Sequence, residues 1–304
     1  MLDYGEGGQP LLTILTPTYN RRHLLPRLYD SIIRQRVPDG TFEWLVIDDG
    51  STDGTSAYLD ELSARHPALV RFTTQPNGGK HRALNAGATL ARGEWVMVVD
   101  SDDWLNEEAL PKAFAAVNGL ATEEELATIA TPLQFPALRQ QYRFKFTGKN
   151  YLIARWHSIK TKFDTCMIFR LSAIRAFPFP EIPGERFMAE SWQHFRISHN
   201  FSCCLLNDYF VSAEYQTGGL SALSVTNRVH APISAVLVYS EMLRAPQRWR
   251  YRLRCTINRG RFYWHALHCG KRPSKYGERA FVSELVAGLP LYLLDLFSVK
   301  KRRP

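Results

Sequence analysis

The first hundred residues alternate between short apolar runs and amphipathic helical patterns, and this alternation constrains the fold of the 304-residue chain more than any other feature. Strands are predicted at 11–17, 42–48, 70–74 and 94–100, and helices at 24–35, 55–66 and 82–91. A strand followed by a helix and another strand favours a right-handed crossover, which makes the two strands parallel. The sequence therefore predicts an α/β fold with a Rossmann-like, mostly parallel central sheet flanked by helices.

Polar segments follow each of the four predicted strands. They read TPTYN, DDGSTD, QPNGGK and DSDDW in chain order. Ligands of such sheets bind beyond the carboxyl ends of the strands, where these four segments would lie side by side. We therefore expect a ligand site at this edge of the sheet.

Three aspartates, Asp100, Asp102 and Asp103, are crowded into the segment after the fourth strand. One interpretation is a solvated loop that caps a helix, because aspartate is favoured at helix N-termini. The other is a divalent metal site, because Mg²⁺ and Mn²⁺ use one or two carboxylates together with substrate phosphates. An extended backbone would direct Asp100 and Asp102 to the same side. We expect these two at the metal, and Asp103 at the start of a helix over 106–117.

Asp49 and the segment NGGKHR supply further polar groups. Asp49 can accept a hydrogen bond from a base N–H or a ribose hydroxyl, and a turn-forming role is the alternative. Lys80 and Arg82 follow a glycine turn at a helix start, where the helix dipole and the cations both favour a phosphate. A solvated basic turn is the alternative for these two residues, and His81 is too isolated to be assigned as a ligand.

Beyond Trp104 the alternation weakens, and strands are predicted at 142–148, 163–170 and 203–215, with a further helix at 187–198. The five cysteines are odd in number and form no CxxC pair, which favours the reduced thiols of a cytosolic protein. The first residues lack the features of a signal peptide. No apolar stretch reaches the ~18 residues that a membrane span needs.

The net charge of +9 is concentrated in the C-terminal region 231–304, which has 15 Lys and Arg against 4 Asp and Glu. Arginines alternate with aromatic residues from Leu243 onward, and KKRR follows soon after an apolar segment at 285–297. This pattern indicates an interfacial anchor on an anionic membrane surface. A helical cap with a solvated basic face is the alternative. RNA binding is a further alternative, but we expect no nucleic acid because the strongest motifs lie elsewhere.

Four segments with this order and spacing resemble the signatures of a known family. They are TPTYNR, FEWLVIDDGSTDGT, NGGKHRALNAGATLARGEWVMVVDSDD and GERFMAESWQHFRIS. They resemble family 2 glycosyltransferases of the GT-A fold over residues 11 to about 220. The resemblance implies an inverting transfer from a nucleotide-sugar donor, usually UDP-linked, with Mn²⁺ or Mg²⁺ as cofactor.

The resemblance also assigns roles at the donor and the metal. Residues expected at the donor nucleotide are Pro17, Thr18, Tyr19 and Asp49 by this resemblance, Lys80 and Arg82 by their place at a helix start, and Asp100 by the DxD motif. Asp102 and Asp100 are the expected metal ligands. Many members have Glu where this chain has Arg21, so no acidic role is assigned to that position.

Inverting transfer also needs a base that removes the proton of the acceptor hydroxyl. In the family this is an acidic residue near a helix start after the DxD motif, often within a Glu-Asp pair. Glu190 stands at that place, followed by Ser191, and is the expected base, with Glu185 as its rival. A helix-dipole role is the alternative for Glu190. Trp192 and Gly219 are expected on the acceptor side, and an ordinary core position is the alternative for Trp192.

We therefore predict a GT-A catalytic domain over 1–230 and a basic helical extension over 231–304. The nucleotide-binding half would cover about 11–104 and the acceptor half about 105–230. The expected acceptor is a glycan or lipid-linked molecule of cell-surface polysaccharide or glycoconjugate synthesis. The expected location is the cytoplasm, peripherally on the inner face of the cell membrane.

Two alternatives of other classes are carried forward. One is a haloacid-dehalogenase-like phosphatase, whose hydrophobic-D-x-D-x-[TV] motif is incomplete here because Asp103 and Trp104 follow the DxD. The other is a non-catalytic protein that binds membrane or nucleic acid through its basic C-terminal region.

Overall fold

The computed structural model describes residues 9–120, 123, 125–138, 141–145, 151–159, 163–214 and 224–300. For residues 298–300 it describes the backbone alone. The strands are β1 (Leu12–Thr18), β2 (Phe42–Asp48), β3 (Val70–Thr74), β4 (Trp95–Val98), β5 (Trp104–Leu105), β6 (Leu126–Pro132), β7 (Tyr151–Ala154), β8 (Thr165–Arg170), β9 (Ser202–Leu206) and β10 (Val211–Ser212). The helices are α1 (Leu25–Ile33), α2 (Thr55–Arg65), α3 (Lys80–Leu90), α4 (Ala109–Gly119), α5 (Leu171–Ala176), α6 (Ser191–Ser198), α7 (Ser224–His230), α8 (Pro232–Arg244), α9 (Trp249–His268) and α10 (Val282–Lys300).

The chain divides into two compact units. The first consists of Met1–Pro178 and Asn200–Gln216, and the second of Phe179–His199 and Thr217–Pro304. All of the strands named above belong to the first unit, and α6 to α10 belong to the second.

An eight-stranded sheet in the order β3-β2-β1-β4-β8-β6-β9-β7 organises the first unit. β1 pairs in parallel with β2 and β4, and β2 pairs in parallel with β3. β8 then pairs antiparallel with both β4 and β6. Every residue of β1 is buried, as expected for a strand covered on both faces. The predicted α/β class, with its mostly parallel sheet and flanking helices, is confirmed.

The predicted helix over 106–117 begins later than expected, at Ala109. Asn106 does not cap it, because its side-chain amide donates to the Tyr209 carbonyl and its Oδ1 accepts from the Ser212 hydroxyl. These bonds join the end of β5 to β10, which pair as a small antiparallel ribbon. The prediction that Asp103 starts the helix is therefore wrong, since β5 separates Asp103 from α4.

Three further boundaries differ from the sequence prediction. The strand predicted at 203–215 is divided into two short strands, β9 and β10, by the irregular residues 207–210, and residue 215 lies outside the described residues. The helix predicted at 187–198 starts at Ser191. Of the strand predicted at 142–148, residues 142–145 are described and are not in a strand, and the rest lies outside the described residues.

Helices α8, α9 and α10 pack together in the second unit. At the α9–α10 crossing, a Cβ added to Gly260 would lie 1.9 Å from the Glu284 carbonyl oxygen, and one added to Gly288 would lie 2.2 Å from the Arg261 amide nitrogen. Only glycine permits so close an approach of two helix backbones. Among the described helices, none is both long and apolar enough to cross a membrane.

Candidate active site

The carboxyl ends of β1, β2 and β3 are in register at one edge of the sheet, where Thr18 pairs with Asp48 and Asp48 with Thr74. Beyond them, hydrogen bonds hold the first two strand ends together. The Asn20 amide donates to the Ser51 hydroxyl at 2.8 Å, and Asn20 Oδ1 accepts from the Thr52 amide at 2.8 Å. Asn20 has a left-handed φ of 53°, which asparagine tolerates better than most residues. The edge is therefore fixed by local bonds between successive strand ends.

Three of the residues predicted at the nucleotide lie at the end of β1 and differ in exposure. Pro17 is buried within β1, whereas Tyr19 is 48% exposed just beyond it. Between them, the Thr18 hydroxyl is buried and finds no hydrogen-bond partner among the described residues. Thr18 and Tyr19 thus offer the edge a hydroxyl and an aromatic surface.

Asp49 is buried, and its carboxylate holds the loop after β3. Oδ1 accepts from Gln75 Nε2 at 2.7 Å and from the Gly78 amide at 2.9 Å, and Oδ2 accepts from the Gly79 amide at 2.7 Å. The adjacent Gly50, at φ 80°, lies so close to this loop that an added Cβ would be 2.9 Å from the Asn77 amide nitrogen. Asp49 therefore joins the end of β2 to the turn that starts α3.

Lys80 and Arg82 lie at the start of α3. Lys80 Nζ is 2.7 Å from Asp100 Oδ2, so the basic turn and the acidic segment meet. Arg82 packs against Gly78, since a Cβ added to that glycine would lie 2.6 Å from Arg82 Cδ. A helix start with two cations favours anions such as phosphate.

The three aspartates after β4 are close enough to affect one another. Burial, followed by the charges of Asp100 and Asp102, raises the pKa of Asp103 to about 9. The Asp103 amide also donates to the Asp100 carbonyl at 3.0 Å. The carboxylate of Asp102 is partly exposed and makes no hydrogen bond or ion pair with the residues that the structure describes. A cation at Asp102 would relieve this concentration of negative charge.

In the described part of the chain, no group of three or more His, Cys, Asp or Glu side chains is arranged to hold a metal ion. Magnesium and manganese sites at nucleotides do not require such a group, because phosphate and water oxygens complete the coordination. Hard oxygen ligands from Asp102, with Asp100 beside it, fit this kind of site.

Arg27 of α1 supports the acidic segment in a way that the sequence did not indicate. Its guanidinium donates to the Asp102 carbonyl at 2.7 Å, lies 3.9 Å from the Trp104 ring centroid, and pairs with Glu214 at 2.9 Å. An arginine on an amphipathic helix normally indicates a solvated surface, so no local pattern could have identified these contacts.

In the second unit, the two candidate bases have different surroundings. Glu185 is buried, and its carboxylate accepts from the Ile233 and Ser234 amides at 3.0 and 2.8 Å and from Lys271 Nζ at 2.8 Å. It therefore caps the start of α8. Glu190 is partly exposed and directly precedes α6, where its backbone carbonyl accepts from the Gln193 amide.

The two residues predicted on the acceptor side are Trp192 and Gly219. Trp192 is buried, with its ring centroid 6.1 Å from that of Phe179. This is the environment of a core residue. Gly219 lies outside the described residues.

Comparison with protein families identifies the chain. The pattern of glycosyl transferase family 2 matches residues 13–177, more than half of the sequence. The chain belongs to glycosyltransferase family 2. The predicted family is confirmed, and the match covers the strand-end segments, α3 and the DxD motif.

Curated relatives of this family member match about a third of its length. Chondroitin synthase of Pasteurella multocida is 38% identical over 101 residues, which are 33% of this chain and 10% of the relative. Poly(ribitol-phosphate) beta-N-acetylglucosaminyltransferase TarS of Staphylococcus aureus is 33% identical over 106 residues, which are 35% of this chain and 18% of the relative. The matched segments are thus small parts of longer proteins.

Solved structures show the fold. TarS 1–349 of S. aureus in complex with UDP-GlcNAc has a TM-score of 0.62 at 20% identity, covering 92% of this chain and 78% of that one. The mannosyltransferase PcManGT of Pyrobaculum calidifontis, in complex with GDP-Man and Mn²⁺, has a TM-score of 0.55 at 19% identity, covering 94% of this chain and 81% of that one. The family member has the predicted GT-A fold.

Proposed function

We propose that this family 2 member is an inverting glycosyltransferase that takes its sugar from a nucleotide-sugar donor. The observation that carries the proposal is the sheet edge at which Lys80 meets Asp100 while the Asp102 carboxylate stays available for a cation. A cationic helix start beside carboxylates suits a diphosphate with its metal ion.

The donor would lie along the ends of β1, β2 and β4. Thr18 and Tyr19 would contact the nucleoside, and Lys80 and Arg82 the phosphates. Asp49 is predicted to contact the nucleobase, but its carboxylate accepts hydrogen bonds from Gln75 and Gly79. Its contribution to donor binding would therefore include holding this loop in place. UDP-linked sugars are the first donors to test, because TarS, which has a similar fold, binds UDP-GlcNAc. GDP-linked sugars are the second, because PcManGT, also similar in fold, binds GDP-Man.

Mn²⁺ or Mg²⁺ would be held by Asp102, with Asp100 beside it, and by the donor phosphates. When bound, the cation neutralises the charge that develops on the leaving diphosphate. This assignment fits the carboxylates after β4, where burial and then the charges of Asp100 and Asp102 raise the pKa of Asp103. PcManGT and GalNAc-T7 are solved proteins of similar fold whose complexes contain Mn²⁺.

Glu190 is the proposed base that takes the proton of the acceptor hydroxyl as that oxygen attacks the anomeric carbon. Exposure favours it over Glu185. Glu190 is partly exposed at a helix start, whereas the Glu185 carboxylate is buried at the start of α8. A base needs a carboxylate that can reach the acceptor, and Glu185 would have to give up its bonds to do so.

The proposed acceptor is a glycan or lipid-linked molecule of cell-surface polysaccharide or glycoconjugate synthesis. The names of chondroitin synthase and TarS support this class. The predicted division into a catalytic domain over 1–230 and an extension over 231–304 belongs to the same proposal. So does a cytoplasmic location with an anionic membrane surface as partner.

The other functions have less support. The phosphatase alternative lacks the end of its nucleophile motif, and the family pattern covers the same aspartates. A purely non-catalytic binder would have no need for the ordered strand ends at β1, β2 and β4.

Substitution of Asp102 by Asn tests the proposal. Turnover of the nucleotide-sugar with Mn²⁺ should fall on the order of 10²- to 10³-fold, the range for loss of one electrostatic stabiliser of the transition state. Asp39→Asn, a change of the same kind at an exposed residue in the loop before β2, should leave turnover unchanged. An unchanged rate for Asp102→Asn would exclude the metal site.

The donor itself is identified by thermal shift. UDP-, GDP- and dTDP-sugars are each added with Mn²⁺, and the correct nucleotide raises Tm because it binds the folded state alone. If none of them raises Tm, the donor class is wrong.

A further inference from the structure

Helix α10 is inverted relative to an ordinary surface helix. Its buried residues include Glu284, Gly288 and Asp295, while its outward residues are almost all apolar. The outward set, with exposed fractions between 37% and 77%, consists of Val282, Val286, Leu289, Leu293, Leu294 and Phe297. A helix on the surface of a soluble protein normally buries its apolar face and exposes its polar face. A contiguous exposed apolar face indicates an interaction site.

The inversion is fixed by ion pairs that face inward. Arg259 of α9 pairs with Glu284 and, at 2.9 Å, with Glu278. Asp295 accepts from Arg261 and, at 2.9 Å, from His265 Nε2. Rotating α10 to hide its apolar face would leave these buried charges without partners, at high cost. The apolar face is therefore held outward by the fold.

In the C-terminal region 231–304, the acidic side chains are buried and the exposed charges are basic. Its four acidic residues, Glu241, Glu278, Glu284 and Asp295, are all buried. Its exposed charged residues are all basic, and those without an ion pair among the described residues are Arg248, Arg250, Arg252, Arg254, Arg272, Lys275 and Arg279. A surface with exposed charges of one sign attracts a surface of the other sign.

A basic cavity lies at the connection between α9 and α10, directly before the apolar face begins. It has a volume of about 310 Å³, and Lys271, Arg272, Lys275 and Tyr276 contribute to its lining. Phe281 and Val282 follow within a few residues and are exposed. Cations that closely precede an outward apolar face in the chain match the two layers of a lipid interface, its anionic headgroups and its acyl chains.

We infer that the outward face of α10 inserts into the interface of an anionic lipid bilayer, with Arg272 and Lys275 at the headgroup phosphates. This inference rests on the membrane partner of the proposed function and makes it specific. The contact is made by one face of α10 and the α9–α10 connection, whereas Arg259 and Arg261 serve the interior. α10 would lie in the plane of the interface and would not cross it.

Co-sedimentation of the full chain with phosphatidylcholine vesicles, with and without phosphatidylglycerol, tests the inference. The wild type should bind only the anionic vesicles, and binding should weaken with salt. The variant Val286→Gln/Leu293→Gln should lose at least tenfold in binding without a fall in Tm, because both side chains are exposed in the free protein. Ile33→Gln/Leu90→Gln, also exposed apolar residues at helix ends, is the matched control.

A second pair separates charge from insertion. Arg272→Gln/Lys275→Gln should weaken binding roughly 30-fold at low salt, as each basic residue near an anionic surface contributes about fivefold. Arg34→Gln/Arg36→Gln, exposed bases of the first unit, should have no effect.

Three results would overturn the inference. One is absence of binding to anionic vesicles. Another is equal binding by the Val286/Leu293 variant. The third is a concentration-dependent dimer in sedimentation velocity that this variant abolishes, which would show that a second copy covers the face. A thermal shift with UDP, measured on the same variants, reports on the donor site separately.

Discussion

Lys80 and Asp100 form an ion pair, with Nζ 2.7 Å from Oδ2, that joins the start of α3 to the segment after β4. In the proposed complex both residues also serve the donor, Lys80 at a phosphate and Asp100 beside the cation. The ion pair thus brings the proposed phosphate-binding cation and the proposed metal-binding carboxylate together in the absence of ligands.

Lys80→Met should change the affinities for nucleotide and for metal in opposite directions. UDP should bind roughly 10- to 100-fold more weakly, because a charge-assisted hydrogen bond is lost. Mn²⁺ alone should bind more tightly, because a competing cation has left Asp100. Isothermal titration calorimetry measures both affinities. Lys80→Arg keeps the charge and should resemble the wild type in Mn²⁺ affinity, and a parallel loss of both affinities in Lys80→Met would contradict the assignment.

Asp49→Ala should destabilise the fold as well as weaken donor binding. The substitution removes the carboxylate that accepts three hydrogen bonds, so the Gly78 and Gly79 amides lose their acceptor. We expect the free energy of unfolding in urea to fall by about 2–4 kcal/mol. Asp60→Ala, at an exposed position of α2, should change it by no more than about 0.5 kcal/mol. A fully stable Asp49→Ala protein would show that the loop is held by other contacts.

Glu190→Gln and Glu185→Gln should fail in different ways. Glu190→Gln should lower kcat about 10²- to 10⁴-fold with little change in Tm, because it removes a general base. Glu185→Gln should lower Tm, because a neutral amide cannot accept from both backbone amides and pair with Lys271. Steady-state kinetics and thermal unfolding on both variants separate the two roles. If Glu185→Gln keeps its Tm and loses kcat, the assignments must be exchanged.

The stability of the α9–α10 pair should depend on pH through His265. Burial, only partly offset by the hydrogen bond to Asp295, lowers the pKa of His265 below its ordinary 6.5. Because the folded pKa is the lower one, the unfolded chain takes up the proton first as pH falls below about 6.5. Stability is therefore full above this pH and declines below it. Urea unfolding between pH 7.5 and 5 measures this decline, which corresponds to an uptake of about one proton on unfolding. His265→Gln should flatten the decline, whereas His230→Gln, at an exposed position, should leave it unchanged.

The sequence predicted the parts of this molecule that depend on local patterns. The first four strands and three helices lie within two or three residues of their predicted bounds, because buried parallel strands are short apolar runs and their helices have one apolar face. The proximity of the DxD segment and the basic turn was also predicted, since each is a compact motif at a strand end, and the contact of Lys80 with Asp100 confirms it.

What the sequence could not predict depends on contacts between distant residues. The helix predicted over 106–117 starts later because Asn106 bonds to Tyr209 and Ser212, which lie more than a hundred residues further along the chain. Arg27 contacts Asp102 and Trp104 from another element in the same way. The apolar residues of α10 were visible in the sequence. Their outward direction follows from the ion pairs of Glu284 and Asp295 with α9 and from the close approach of Gly288 to α9.

Gly288→Ala tests whether this close approach fixes the direction of α10. The added Cβ would lie 2.2 Å from the Arg261 amide nitrogen and 2.3 Å from the Gly260 carbonyl carbon, so two helix backbones must separate. We expect the free energy of unfolding to fall by about 1–3 kcal/mol, the usual cost of overpacking. Gly119→Ala at the end of α4, where nothing lies within 4 Å of an added Cβ, should cause no loss. Separation should also stretch the ion pairs of Arg259 and Arg261 with α10, so hydrogen exchange at α10 amides should rise in Gly288→Ala alone. Unchanged exchange and stability would mean that the ion pairs, and not the glycines, hold the apolar face outward.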